Sequence, residues 1–261
     1  MQYLHWLVSI GYALWGAVWW QGWQALKDTT LRSAWLWLGL AWLVWTIRSF
    51  GLWPEPLGNY LGLCGSALVV AAVLGARRPG ADAWNLVVLC LAGVLCLPAG
   101  HASASGWLLE IPWAIFLIGL LTFGLINYLP TGLAAAMVFA GTAHALAAVP
   151  LVMELSEPIA HRLGMYADAV LVPALWLGWI LTRRRAADAQ DFQSRWRLFR
   201  DRFGLVWALR VQEQFRAAAR HRGLPYDLTW RGLVPTAETA CTRQEEAERL
   251  VHALLQRFQN G

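Results

Sequence analysis

Five ionisable residues stand inside or at the rims of long apolar runs: His5, Arg48, Glu110, His144 and Asp168. Ionisable side chains at membrane depth are expensive to keep, so each is a candidate for function. Arg48, Glu110, His144 and Asp168 together offer a guanidinium, two carboxylates and an imidazole, the chemistry of a substrate or ion pathway. His5 and His144 offer a second option, two nitrogens for a haem iron or another metal. The four cysteines (Cys64, Cys90, Cys96, Cys241) add no metal-ligand spacing. A third option is purely structural, with Arg48 paired to Glu110 or Asp168 to hold helices together. The cofactor is left unknown, haem or metal being open but not favoured, and no catalytic residue is assigned.

Other chemistries are excluded by what the chain lacks. A retinal Schiff base needs a lysine within a span, and the only lysine, Lys27, falls in a polar break. There is no HExxH zinc motif, P-loop or CxxCH haem-attachment motif. Ser103 and Ser105 lie in a polar stretch with no nucleophile elbow around them. The first three apolar runs show no similarity to the last three, as a repeat-built transporter would require.

The element that orders the rest is residues 165–185. An apolar run over 169–181 passes straight into Thr182-Arg183-Arg184-Arg185, with no acid before Asp188. Arginines directly after an apolar run mark the cytoplasmic end of a spanning helix. The composition divides there: residues 1–182 hold six basic and seven acidic side chains, and 183–261 hold fifteen and nine. With 58 % hydrophobic residues, 14 % charged residues and 18 tryptophans, the chain reads as a membrane protein.

Six more apolar runs precede that one, at 3–23, 33–53, 57–76, 83–97, 107–128 and 131–151. Most meet the roughly 20-residue requirement for crossing the hydrocarbon core; the fourth is the shortest. They are broken at Lys27-Asp28, Pro54-Glu55-Pro56, Arg77-Arg78-Pro79-Gly80, Pro98 and Leu129-Pro130. The first run lacks a basic start and a small-residue cleavage site, so it is expected to persist as a span. The predicted fold is an all-α membrane protein with seven transmembrane helices, N-terminus out and C-terminus in. Lys27, Arg32, Arg77 and Arg78 then lie inside, against Arg48 and Arg162 outside, which agrees with the positive-inside rule. A bacterial inner membrane is the expected location. On this topology the five candidate residues occupy the outer halves of their spans.

Small residues predict where helices approach closely. Gly58, Gly62 and Ser66 form one stripe; Gly132, Ala136, Ala140, His144 and Ala148 form another. In the first span His5, Ser9, Tyr12, Gly16 and Trp23 share the expected inward face.

Residues 183–261 predict a small, mostly helical cytoplasmic domain. A long amphipathic helix over 186–222, continuous with the last span, is followed by an extended run at 226–230 and a helix over 243–258. Thr242-Arg243-Gln244-Glu245 is a capping-box pattern. Phe192, Trp196, Phe199, Phe203 and Trp207 make an apolar stripe that Leu250, Val251, Leu254, Leu255 and Phe258 are expected to cover. Acids interleave with the arginines, Asp191 with Arg195 and Arg197 with Asp201, so nucleic acid is not an expected partner. Two roles follow from the sequence. The first is a non-catalytic subunit or interaction protein of a membrane assembly, using the Trp-rich first two spans for a membrane partner and the tail for a cytoplasmic one. The other is a transporter or a haem- or metal-binding protein working through the outer cluster.

Overall fold

The computed structural model describes residues 2–76, 81–101, 107–187, 191–236 and 243–258. Among these the chain is mostly helical, with nine α-helices and one two-stranded sheet. Seven helices make a bundle: α1 (Gln2–Ala25), α2 (Arg32–Ser49), α3 (Glu55–Leu74), α4 (Ala81–Cys96), α5 (Ile111–Tyr128), α6 (Ala134–Val152) and α7 (Glu157–Ala187). Five stretches combine the length and apolarity to cross a membrane: α3, residues 83–100 in and after α4, α5, α6 and α7.

Consecutive helices in the bundle pack as neighbours except α4 and α5, α5 lying instead against α3 and α6. Trp19 Nε1 donates to the Trp35 carbonyl at 3.0 Å and Trp35 Nε1 to the Trp19 carbonyl at 2.8 Å, while Ser9 reaches Ser49 at the far end. That pairing fixes α1 against α2. Tyr60 donates to the Leu95 carbonyl at 2.6 Å and Trp84 to the Ala71 carbonyl at 2.8 Å, which does the same for α3 and α4. α3 is the central post, packed on α2, α4, α5 and α6.

Glycine sets how closely these helices approach. A Cβ on Gly62 would lie 2.6 Å from the Trp45 ring, one on Gly58 would lie 2.7 Å from Arg48 Cγ, and Gly65 meets the Ala41 backbone. Gly16, Gly22 and Gly39 receive Trp42, Trp35 and Trp19 in the same way. In α6 the closest face is Ala136, Ala143, Ala147 and Leu151, all buried. Gly132 and Ala136 of the expected stripe do meet α7, whereas Ala140, His144 and Ala148 turn toward a partly open cavity.

The single long helix expected over 186–222 is replaced by two. α7 ends at Ala187, and α8 (Phe192–Arg222) starts afresh after Asp191, whose extended backbone and carboxylate cap the Ser194 N–H at 3.0 Å. The absence of Gly and Pro does not force continuity when a capping residue is available. α8 itself bends at Gly204, where φ is +79°, a conformation that L side chains rarely adopt. Asn127 Oδ1 accepts the Val206 N–H at 3.0 Å just past the bend. The extended run is one strand of a hairpin, β1 (Tyr226–Thr229) paired with β2 (Gly232–Pro235). α9 (Gln244–Leu255) and a 3-10 turn ending at Phe258 lie over α8. Phe258 packs edge-on against Phe199, Phe203 and Trp207, with centroids 5.0, 5.0 and 5.5 Å away. Thr242 of the capping-box pattern, Ser103 and Ser105 lie outside the described residues.

α8 and α9 dock on one end of the bundle. Trp207 Nε1 donates to the Val73 carbonyl at 3.0 Å, Tyr128 to the Arg202 carbonyl at 3.0 Å, and the Thr30 N–H to the Phe258 carbonyl at 3.2 Å. Asp201 is the anchor. Its carboxylate pairs with Arg185 and Arg200 and accepts the Gly132 N–H at 2.9 Å, rather than pairing with Arg197. The α1–α2 and α5–α6 connections and the end of α3 therefore share the end of the bundle that carries the arginine-rich segment.

Candidate functional site

The opposite end holds a chain of polar side chains running from the interior to the surface. Arg48 sits in the last turn of α2, and the chain turns through Gly51, at φ +70°, and Pro54 to begin α3 at Glu55. That tight return puts Glu55 Oε1 3.6 Å from Arg48 Nη2. Asp168 lies on α7 and accepts from Arg48 Nη1 at 2.5 Å through Oδ2. Its other oxygen, Oδ1, accepts the hydroxyl of the fully buried Tyr12 of α1 at 3.0 Å. Outermost is His161, whose Nδ1 is 3.0 Å from Glu55 Oε2.

Arg48 and Asp168 are each only 7 % exposed, so both charges have left water and depend on each other. Room for them comes from glycine. A Cβ on Gly164 would collide with Glu55 Oε1 and Arg48 Nη2. The Arg48 guanidinium also lies 5.4 Å from the Trp45 ring centre. Four helices, α1, α2, α3 and α7, are thus tied by one network. Both Asp168 oxygens are occupied and Glu55 is shared between Arg48 and His161, while Arg48 Nε is buried without a hydrogen-bond partner.

The other sequence candidates are elsewhere. Glu110 is exposed at the N-terminus of α5, where a carboxylate complements the helix dipole without meeting Arg48. His5 is exposed in the first turns of α1 and stands edge-on to Trp6. His144 stacks on Trp45 with ring centres 6.2 Å apart, facing the central cavity. His5 and His144 are on helices that do not pack together, and no third ligand joins either: among the described residues no group of three His, Cys, Asp or Glu is placed to hold a metal. The structure brings together Arg48 and Asp168 and leaves Glu110, His5 and His144 apart from them.

The feature that sequence reasoning missed is the cavity itself. About 630 Å³ in volume, it lies between α1, α2, α3, α5, α6 and α7 and is lined chiefly by apolar groups, including Trp15, Trp35, Trp42 and Trp45. Arg48, Asp168, Tyr12 and Glu55 do not line it. The only available signal was the alignment of tryptophans in α1 and α2 at helical spacing, which by itself reads as packing.

Comparison of the chain with protein-family models, with curated proteins and with solved structures finds no match. The class that fold and site define is a helical membrane protein with a buried ion-pair network and an apolar cavity.

Proposed function

We propose that this is a seven-span inner-membrane protein, N-terminus out and C-terminus in, acting as a non-catalytic subunit or interaction protein of a membrane assembly. The spans add α1 and α2 to the five apolar stretches. Tryptophan, an interfacial residue, makes both helices less lipophilic on average; the 24 residues of α1 are long enough to cross, and the 18 residues of α2 cross where the bilayer thins or flanking residues reach the interface. Two observations support the topology: all seven helices alternate in direction, and the arginine-rich segment packs at the end where Lys27 and Arg32 also lie.

The observation that carries the functional reading is the mutual engagement of Tyr12, Asp168, Arg48 and Glu55 across four helices. A pathway would leave these groups facing a passage, whereas here they face one another and clamp four helices. The use of Arg48, Glu110, His144 and Asp168 as a pathway, or of His5 and His144 for haem, has less support because the geometry separates them. The exposed face of α1, with Tyr3, Trp6, Leu7, Ile10 and Leu14, is the surface we assign to lipid or a membrane partner, and the docked α8–α9 layer the surface for a cytoplasmic one.

Affinity purification in mild detergent after in-cell crosslinking tests this reading. The expected result is a stoichiometric membrane-protein partner crosslinked through position 6 or 10 and a colourless preparation. A protein that is monomeric under every mild condition, or one that carries haem absorbance or stoichiometric metal, overturns it.

A further inference from the structure

Three unpaired polar groups converge on the apolar cavity. Among the described residues, Trp15 Nε1, His144 Nε2 and Arg202 Nε are buried without a hydrogen-bond partner, and all three residues line this one space. Buried polar atoms are nearly always satisfied, so orphans gathered around a cavity mark a place where a ligand supplies the missing partner. Trp15 is only 2 % exposed, and its N–H is a pure donor.

The size and shape narrow the ligand. A volume of about 630 Å³ is within the range of small-molecule sites, about 300–1,000 Å³. Both Leu133 and Val152 line it, so at about 1.5 Å per residue it follows α6 for about 28 Å, close to the thickness of the hydrocarbon core. A long apolar chain fits such a space better than a compact solute does. The charge narrows it further. Arg202 stands at the end where α8 docks, and Asp201, the only acid among the lining residues, is already engaged by Arg185, Arg200 and the Gly132 N–H. Desolvation holds the Arg202 guanidinium below its ordinary pKa. An anionic group would relieve that cost with charge-assisted hydrogen bonds.

We propose that the cavity binds an amphiphile with one anionic head, its apolar chain lying along Trp42 and Trp45 and its carboxylate or phosphate meeting Arg202. The head enters from the end covered by α8, and Trp15 and His144 offer hydrogen bonds to any oxygen further along the chain. A free fatty acid and an anionic lipid share this chemistry. The site goes beyond the subunit role and does not depend on a partner.

The test uses the full-length protein in nanodiscs of zwitterionic lipid, with dibromostearate as probe, because bromine quenches the cavity tryptophans. Quenching that saturates and is reversed by unbrominated stearate is expected, and dibromostearyl alcohol should bind more weakly. Arg202→Gln should weaken the acid about tenfold and leave the alcohol unchanged, as loss of one charge-assisted contact predicts. Ala140→Leu, which fills the cavity, should weaken both probes while circular dichroism and gel filtration remain those of the parent. Phosphatidate displacing the probe at lower concentration than stearate assigns the site to a lipid headgroup, and the reverse assigns it to a free acid. Quenching that never saturates, or an Arg202→Gln protein that binds acid and alcohol as the parent does, overturns the proposal.

Discussion

Removing Arg48 and Asp168 together should cost far less than removing each alone suggests. Arg48→Met leaves Asp168 buried with only the Tyr12 hydroxyl, and Asp168→Leu leaves a buried guanidinium with Glu55 at 3.6 Å. Breaking one side of a buried pair typically costs about 3–5 kcal/mol, so independent effects would add to about 6–10 kcal/mol. Replacing both partners with apolar side chains removes the uncompensated charge. What remains is mainly the orphaned Tyr12 hydroxyl, about 1–3 kcal/mol, because Glu55 is partly solvated. The double variant should therefore show a coupling energy of at least about 3 kcal/mol. SDS titration of the refoldable protein in mixed micelles, followed by tryptophan fluorescence, measures all four corners of the cycle. Losses that add to within about 0.5 kcal/mol would mean that the two residues do not act as a pair.

Other variants probe the remaining contacts. Gly62→Leu drives a side chain into Trp45 and should destabilise the α2–α3 seam by about 1–3 kcal/mol, read by the same titration. Asp201→Ala removes the group that joins Arg185, Arg200 and the Gly132 N–H, so trypsin should cut within α8 far faster than in the parent. Glu110→Gln and His5→Ala, both at exposed positions, should change stability by no more than about 0.5 kcal/mol, and a large loss at either would place it in a network that the geometry does not contain. The Ser194 hydrogen bonds hold the Asp191 carboxylate below its ordinary pKa. Its contribution to α8 should be complete above the usual carboxylate range and lost as pH falls through the lowered value, a dependence that Asp191→Ala should abolish in amide exchange at Ser194.

Much of the frame was legible because membrane crossing imposes a length and a hydropathy that single residues cannot disguise. The breaks at Lys27-Asp28 and Leu129-Pro130 fall between the observed helices, the Pro54-Glu55-Pro56 break marks the start of α3, and the Gly58–Gly62 stripe meets α2. The apolar faces of α8 and α9 were equally readable, since 3.6-residue periodicity gives the covering face directly. Pairing was harder. Arg48 had two acids of equal standing, and only the packing of α7 against α1 brings Asp168 to it while Glu110 remains at the surface. His144 was placed on a small-residue stripe whose Gly132 and Ala136 meet α7, but further along α6 Ala140, His144 and Ala148 face the cavity. The cavity was invisible for a simple reason: a tryptophan that fills a seam and one that lines a space have the same spacing, and the difference lies in what the opposite helix places there.

The most direct test of the account is which side of the membrane each terminus occupies. Fusions carrying a cytoplasm-active and a periplasm-active reporter, one before Met1 and one after Gly261 in separate strains, should report periplasm at the N-terminus and cytoplasm at the C-terminus. Both ends on the same side would mean an even number of crossings and would contradict the seven-span bundle.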